Sequence, residues 1–174
     1  MSLRTFTNVP PVVSAMLCGI AGIAFASLAQ PTCKLLYNPS ESAPRGWYAF
    51  RPARMYPVGV LVVAHLPEGA ARLANERHFL PATVPLLKRV AAVSGERVCE
   101  RDGVVTINGQ VAARARSRDG AGRLLTPWTG CRVLAQDELF LLNRDSSSSF
   151  DARYFGPIHR SSVIGWAIPI WTWR

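Results

Sequence analysis

Two serines, Ser40 and Ser42, lie two residues apart in the stretch Tyr37–Tyr48, and Pro44 and Gly46 follow them. A proline fixes its own φ and a glycine adopts φ values that other residues avoid, so we expect a defined, non-helical path here. A serine held on such a turn is a candidate nucleophile. Stretches rich in serine, proline and glycine are more often plain loops, so this stretch alone does not establish an active site.

A serine nucleophile needs a base, and the composition leaves one main candidate. Only two of the 20 basic residues are lysines, Lys34 and Lys88, and the others are arginines. Arginine stays protonated at any working pH, whereas a buried lysine can lose its proton and act as a base. Lys88 lies in the apolar run Val84–Val93, which we predict to be a buried strand, with Lys88 on the same face as Leu86 and Val90.

Two environments are open to Lys88. Burial on an apolar face would disfavour the charged ammonium and lower its pKa, so that the neutral amine could take a proton from a serine hydroxyl. Alternatively, Lys88 lies at a strand edge and extends its ammonium group to water. The neighbouring residues are compatible with both interpretations.

A third stretch with chemical potential is Ser149–Pro157, which contains Asp151. The carboxylate of Asp151 could orient the lysine or support the site through hydrogen bonds. The alternative is a surface ion pair between Asp151 and Arg153, in a turn that Gly156 and Pro157 close.

The N-terminal part of the chain contains an apolar segment. Val12–Ala29 is an uninterrupted run of 18 apolar or small residues without a charge. As a helix it would be about 27 Å long, close to the bilayer core thickness of about 30 Å. A membrane anchor is the interpretation we favour. The alternatives are a cleaved signal peptide, because Ala24–Ala26 resembles a small-x-small cleavage site, and a buried core helix.

This interpretation predicts three parts of the chain. Residues 1–11 form a short cytoplasmic tail, residues 12–29 a transmembrane helix that acts as signal anchor, and residues 30–174 a periplasmic catalytic domain. The orientation rests on Arg4 and the α-amine as the positive charges on the N-terminal side.

Beyond Trp47 the pattern is typical of a mostly β domain with little helix. One short helix is expected within Glu68–Phe79, and residues 113–130 read as a long surface loop. Tight turns are expected at Asp102-Gly103 and Asn108-Gly109. Strands are expected at Val58–Leu66, Val84–Val93, Arg97–Glu100, Val104–Ile107, Glu138–Asn143 and Val163–Trp173.

Composition restricts the partners. The net charge of +9 is compatible with nucleic acid, anionic lipid or an acidic partner, but the arginines are scattered and no nucleic-acid-binding motif is present, so we expect no nucleic acid. No Cys/His spacing suggests a metal, and we expect no cofactor. Cys99 and Cys131 could form a disulfide in an oxidising compartment or remain two separate thiols.

The order of these features resembles a known family. In chain order the sequence presents the apolar segment, the serine stretch Asn38–Tyr48, the lysine strand within Phe79–Val93 and the stretch Phe150–Pro157. This arrangement closely resembles the type I signal peptidase family of serine–lysine proteases, and within it the TraF-type peptidases of bacterial conjugative transfer systems.

The resemblance implies a fold and a set of roles. The expected fold is a mostly β, signal-peptidase-like domain with one N-terminal transmembrane helix. Ser42 matches the family nucleophile, Lys88 the general base, and Asp151 an aspartate that the TraF-type branch requires. The oxyanion hole would use the backbone N–H of Ser42 and, as in some members, the hydroxyl of the residue two positions earlier, here Ser40.

The implied function is that of a membrane-anchored serine endopeptidase in the bacterial inner membrane. Its partner would be a protein substrate, an exported precursor such as a conjugative pilin, with a linear or a cyclic product. The rivals are a housekeeping signal peptidase and a non-catalytic assembly subunit of a transfer channel. A self-cleaving repressor with the same dyad is disfavoured by the apolar segment and by the absence of a DNA-binding helix pair.

Overall fold

The structure, a computed structural model, describes residues 10–28 and 34–173, and the chain divides into two units, residues 1–32 and 33–174. The first unit contains helix α1 (Pro11–Leu28), whose large apolar side chains, such as Ile20 and Phe25, are exposed. Among the described residues, no helix has both the length and the hydropathy needed to cross a bilayer. Residues 1–9 of the predicted tail and the boundary predicted at residues 29–30 lie outside the described residues.

The second unit is mostly β, as predicted. Its described part contains eleven strands, two short α-helices and one 3₁₀ turn (Arg160–Ser162). In chain order the strands and α-helices are β1 (Lys34–Asn38), β2 (Arg45–Arg51), β3 (Leu61–Ala64), α2 (Glu68–Glu76), β4 (Leu86–Ala92), β5 (Arg97–Arg101), β6 (Val104–Ile107), β7 (Gln110–Arg114), β8 (Gly130–Val133), β9 (Glu138–Leu142), α3 (Ala152–Phe155), β10 (Ile158–His159) and β11 (Val163–Trp173).

These strands form two antiparallel sheets. The first has seven strands in the order β1-β2-β11-β3-β4-β9-β10, and the second has four in the order β7-β6-β5-β8. The long strand β11 lies between β2 and β3 and pairs with both. The strands that carry the serine stretch and Lys88 therefore belong to one sheet, separated by β11 and β3.

The centre of the seven-stranded sheet is buried on both faces. Val62 and Val90 belong to an apolar cluster on one side, while Val63 and Leu87 belong to a different cluster. A strand that is covered on both faces reads as a continuous apolar run and not as an alternation. This explains why β3 and β4 were predictable as buried strands, although both are shorter than the predicted ranges.

The predicted turns adopt the expected conformations. Asp102 and Gly103 have φ values of 52° and 77°, and Asn108 and Gly109 have 51° and 82°. Positive φ at both central residues is the pattern of a two-residue hairpin turn, for which Asp-Gly and Asn-Gly are the preferred pairs. The strands β5, β6 and β7 follow one another through these two turns.

Gly46 is required where β2 meets β11. It has a φ of 138°, and a Cβ atom on this residue would lie 2.1 Å from the backbone oxygen of Trp171. Only glycine permits this close approach of two backbones. The contact fixes the start of β2, directly after the serine stretch, against the last strand of the sheet.

The prediction of a surface loop over residues 113–130 needs correction. The β7 strand continues to Arg114, and Leu125 is buried. The backbone N–H of Trp128 donates a hydrogen bond to the carbonyl oxygen of Arg153, and its ring packs against Phe140. The packing was not predicted because the apolar residues of this polar, arginine-rich stretch are widely spaced and show no regular period.

Cys99 and Cys131 face each other across β5 and β8, and their sulfur atoms are bonded. Of the two interpretations left open by the sequence, the structure contains the disulfide. It joins two strands of the four-stranded sheet that are 32 residues apart in the chain.

Candidate active site

The serine stretch forms a turn between β1 and β2, organised by the buried side chain of Asn38. The Oδ1 atom of Asn38 accepts hydrogen bonds from the backbone N–H and the hydroxyl of Ser40, at 3.2 and 2.8 Å. Its Nδ2 atom lies 3.2 Å from the oxygen of Ala43 and 3.1 Å from that of Pro44, and the hydroxyl of Tyr48 also donates to Pro44. The expected non-helical path is therefore held from inside the turn.

Lys88 points to this turn from β4. Its Nζ atom lies 3.0 Å from the Oγ atom of Ser42, and the residue is only 5% exposed. The edge position considered from the sequence is therefore wrong. Burial lowers the pKa of Lys88 from 10.5 to about 8, while the charge of Asp151 raises it and that of Arg153 lowers it.

The hydroxyls of Ser40 and Ser42 also lie within reach of each other, with 3.0 Å between their Oγ atoms. Because the Ser40 hydroxyl donates to Asn38, the hydroxyl of Ser42 is the donor in the contact between the serines or donates to a neutral Lys88. Loss of the Lys88 proton would thus turn the Ser42 O–H towards an acceptor nitrogen.

Asp151 lies behind Lys88 and is completely buried. Its carboxylate accepts hydrogen bonds from the backbone N–H groups of Asn143 and Arg153 and from the guanidinium of Arg153, at 2.7 Å for both Nε and Nη2. No hydrogen bond joins Asp151 to Lys88 in the described part of the chain. Asp151 acts on Lys88 through its charge, and the ion pair with Arg153 is present but buried, not on the surface.

Arg153 is the largest charged side chain in this region, and it is 2% exposed. Besides pairing with Asp151, its guanidinium donates to the backbone oxygens of Ser146 and Ser149, at 2.8 and 3.1 Å. The pair therefore shapes the loop that connects β9 to α3. Asp151 also caps α3, because its side chain accepts from the N–H of Arg153.

Asn143 is a site residue that the sequence did not reveal. Its Nδ2 atom donates to the oxygen of Leu87, and its Oδ1 atom accepts from the N–H of Arg89, both at 3.2 Å. One side chain thus holds the backbone on both sides of Lys88, while its own N–H donates to Asp151. An asparagine at the end of an apolar strand is common, so no sequence signal distinguished this one.

Ser149 is a second residue that sequence reasoning passed over. It is 2% exposed, and its Oγ atom has no hydrogen-bond partner among the described residues. It lines the same cavity as Ser42 and Lys88. A buried hydroxyl without a partner is unfavourable, so this atom is available to a group that enters the cavity.

The cavity in front of Ser42 has a volume of about 550 Å³. Its walls come from the serine turn, the segment after α2, the start of β4, the segment after β7 and the loop before α3. Its lining contains both polar and apolar groups, and the main apolar ones are Leu36, Phe79, Leu80, Leu86, Leu125 and Phe150. The volume and the mixed lining are typical of a pocket that binds an organic ligand or a peptide side chain.

Comparison with known proteins defines the class of this protein. Residues 10–173 match the family described as signal peptidase, peptidase S26, and the chain belongs to this family. The serine turn and the buried lysine next to it therefore lie within a peptidase family domain.

Relatives within the family are conjugal transfer proteins. The chain is 36% identical over 146 residues to the probable conjugal transfer protein TraF of Sinorhizobium fredii (strain NBRC 101917 / NGR234), covering 78% of this chain and 76% of that protein. It is 40% identical over 146 residues to the conjugal transfer protein TraF of Agrobacterium tumefaciens (strain 15955), covering 79% and 82%.

A crystal structure of a signal peptidase I from Enterococcus faecalis V583 aligns with a TM-score of 0.39 and 18% sequence identity, covering 65% of this chain and 97% of that chain. The family assignment rests on the sequence relationships and not on this alignment.

Proposed function

We propose that this chain is a serine endopeptidase in which Ser42 is the nucleophile and Lys88 is the general base. The observation that supports this most directly is the 3.0 Å contact between the Oγ atom of Ser42 and the Nζ atom of a buried lysine. With a pKa of about 8, a useful fraction of Lys88 is neutral near physiological pH.

The reaction begins when neutral Lys88 takes the proton of Ser42 as Oγ attacks the carbonyl carbon of a peptide bond. The backbone N–H of Ser42 stabilises the resulting oxyanion, an effect worth roughly 3–4 kcal/mol per donor. The Ser40 hydroxyl would donate a second hydrogen bond to the oxyanion after breaking its hydrogen bond to Asn38. The ammonium of Lys88 then protonates the departing amine, and an acyl-enzyme forms on Ser42.

Asp151 is assigned a supporting role in this mechanism. Its negative charge offsets part of the desolvation of the Lys88 ammonium, and its ion pair with Arg153 keeps the neighbouring loop in place. The acyl-enzyme is resolved by water, which gives a linear product, or by a peptide amine, which gives a joined or cyclic product.

The substrate we propose is an exported precursor in plasmid transfer, most specifically a conjugative pilin. The support for this choice is the similarity to proteins named for conjugal transfer. A housekeeping signal peptidase would share the same nucleophile and base, and the two differ in the range of precursors that they cleave.

We also propose that the protein is anchored in the bacterial inner membrane with the second unit in the periplasm. Helix α1 exposes large apolar side chains. The second unit carries an aromatic cluster in which the Tyr37 ring packs at a tilt against Trp47 and Trp173, and in which Trp171 is 70% exposed. Aromatic residues with this exposure are typical of membrane interfaces, and a disulfide favours an oxidising compartment.

The test is cleavage of a candidate pilin precursor by the full-length protein in membranes, followed by mass spectrometry. The variants Ser42→Ala and Lys88→Arg should abolish processing, whereas the matched controls Ser162→Ala and Lys34→Arg should retain it. A product that lacks one water relative to the linear peptide would identify the cyclic route.

The rivals give different results in the same assay. Efficient cleavage of many ordinary signal peptides, with no preference for the pilin precursor, would favour the housekeeping enzyme. Processing that persists in both Ser42→Ala and Lys88→Arg would favour a non-catalytic assembly subunit.

A further inference from the structure

The cavity in front of Ser42 has two carboxylates in its lining, and arginines neutralise both. Glu41 is paired with Arg45, at 2.7 Å. Asp119 is paired with Arg77 at 3.2 Å and with Arg123 at 2.8 Å. The cavity therefore offers no unpaired negative charge among the residues described.

Two arginines of the same lining have neutral partners instead. The Nη2 atom of Arg116 donates to the hydroxyl of Ser147 at 2.7 Å, and the Nη1 atom of Arg118 donates to the carbonyl oxygen of Gly122 at 2.6 Å. Within the described residues, neither guanidinium forms an ion pair with a carboxylate. Each keeps further N–H donors available, because a guanidinium has five.

The segment that carries these arginines is tied to the active-site region. The N–H of Arg116 donates to the hydroxyl of Tyr154, and the Nη1 atom of Arg153 donates to the oxygen of Arg114. The same Arg153 is bound to Asp151, behind Lys88. The backbone at Arg114 and Arg116 is therefore held by Arg153 and Tyr154, two neighbouring residues of α3.

Arg118 is held by the turn that follows it. Burial alone would raise the pKa of Asp119, but hydrogen bonds from Arg123 and Ala121 and the charge of Arg123 lower it. Asp119 thus remains a charged anchor for this turn, and Leu125 N–H closes it by donating to the oxygen of Ser117. A guanidinium whose backbone is fixed in advance loses less entropy when it binds an anion.

From this charge balance we propose that Arg116 and Arg118 form a specificity site for a carboxylate of the substrate peptide, within a few residues of the bond that Ser42 attacks. The inference rests on the proposed function and adds the substrate class, a peptide with an acidic group flanked by apolar residues. Guanidinium groups bind carboxylates through charge-assisted, frequently bidentate hydrogen bonds. The apolar walls at Leu80 and Phe150 fit the flanking residues.

The carboxylate can come from an aspartate or glutamate side chain or from the free C-terminus of the peptide. The experiment separates the two. One peptide series places glutamate, or glutamine as the isosteric control, at each position near the cleaved bond. A second series compares a free C-terminal carboxylate with its amide.

The kcat/KM of each pair is measured with the wild-type protein and with the double variant Arg116→Gln/Arg118→Gln. Exposed ion pairs have small energies, so we expect a preference of roughly fivefold for the carboxylate at one position. The double variant should lose this preference, so that its kcat/KM ratio between the carboxylate peptide and the neutral peptide falls to about one. High salt should reduce the preference of the wild type, because exposed charges are screened.

The matched control is Arg97→Gln/Arg101→Gln, which removes two exposed arginines from β5, away from the cavity lining. It should retain the full preference. An equal loss in both double variants would show a general effect of net charge and overturn the proposal. The same holds if the wild type shows no carboxylate preference at any position or at the C-terminus.

Binding to the Ser42→Ala variant separates this inference from the proposed function. Fluorescence anisotropy with the labelled peptides measures the preference without any cleavage step. Tighter binding of the carboxylate peptides, lost in Arg116→Gln/Arg118→Gln, supports the site even if hydrolysis is never observed. Equal binding of both members of every pair, together with Ser42-dependent cleavage, overturns the inference and leaves the peptidase assignment intact.

Discussion

The two sheets of the second unit are stabilised in different ways. Most of the buried polar residues that the structure describes lie in the region of the seven-stranded sheet that surrounds Lys88, and they are Asn38, Lys88, Asn143, Ser149, Asp151 and Arg153. The four-stranded sheet buries Val98, Val105 and Ile107, with Glu100 as its buried polar residue, and a disulfide crosslinks it.

This difference predicts that the region around Lys88 determines activity and that the four-stranded sheet contributes to stability alone. Burying charged and polar groups lowers the free energy of unfolding unless every group is paired, and the region around Lys88 retains a poorly solvated amine and an unpartnered hydroxyl. The four-stranded sheet has no comparable conflict among its described residues. Changes in the first region should therefore alter activity and pH dependence, whereas changes in the second should alter stability alone.

The largest expected effect is that of Lys88→Met, which removes the amine and keeps an apolar side chain of similar length. We expect kcat/KM to fall by about 10³-fold or more, because the variant lacks the proposed general base. We also expect the free energy of unfolding to rise, because no ammonium has to be desolvated. Peptide cleavage and urea unfolding measure the two effects. The exposed Arg101→Met should change neither, and wild-type activity in Lys88→Met would exclude the proposed base.

Asp151→Asn should lower the free energy of unfolding by about 3–5 kcal/mol, because it leaves the buried guanidinium of Arg153 without its counter-ion. Loss of the negative charge should also shift the pH profile of cleavage towards lower pH, because Asp151 raises the pKa of Lys88. The exposed pair of Glu68 and Arg72 is the control, and Glu68→Gln should change stability by less than about 1 kcal/mol. If the two variants lowered the free energy of unfolding equally, the expected difference between the buried pair and the exposed pair would be wrong.

Removal of the disulfide tests the other sheet. The variant Cys99→Ala/Cys131→Ala should lose about 3–4 kcal/mol of stability, as expected for a crosslink that closes a loop of this length. The kcat/KM below the unfolding transition should equal that of the wild type, because the bond lies outside the cavity lining. A large change in kcat/KM with an unchanged denaturation midpoint would contradict the prediction that the four-stranded sheet contributes to stability and not to activity.

The pH dependence should report the titration of Lys88. Only the neutral amine accepts a proton, so with a pKa of about 8 the kcat/KM should rise roughly fiftyfold from about pH 6 to pH 8 and level off above about pH 9. Between about pH 8 and 10.5 the unfolded chain binds a proton on this lysine that the folded chain does not, so the free energy of unfolding should rise with pH. A flat rate profile below pH 8 would argue against Lys88 as the base.

The smallest expected effect is that of Asn143→Ala. It removes the side-chain bonds to the backbone at Leu87 and Arg89, and we expect a loss of about 1–3 kcal/mol of stability together with a roughly tenfold fall in kcat. The control is Asn108→Gly, which removes the bond to Arg97 in a hairpin turn and tolerates the positive φ. That variant should lose stability but keep kcat. A fall in kcat for both would assign Asn143 a structural role only.

The sequence predicted those parts of the fold that depend on local patterns. The buried strands β3 and β4, the helix α2 and the two glycine turns were visible as apolar runs or turn pairs. Lys88 was visible because it is a charged residue inside an apolar run. The short strand β1 and the four-residue helix α3 were not predicted, because each is too short to show a period.

The supporting residues could not be found in this way, because their role depends on which strands become neighbours. Asn143 and Arg89 are 54 residues apart, and their contact exists only because β9 pairs with β4. The burial of Arg153 depends on the turn of the loop before α3 in the same way. An ion pair between Asp151 and Arg153 was considered from the sequence only as a surface alternative, whereas tertiary packing buries the pair.

The position of β11 has a consequence for the biosynthesis of this protein. Strand β2 follows the serine turn directly. One of its two neighbouring strands is β11, because residues 45–51 pair with residues 166–173 near the end of the second unit. Such a long-range partner arrives late, because the intervening chain must first be synthesised. A half-made polypeptide therefore lacks the finished sheet next to Ser42, which forms only after strand β11 has emerged.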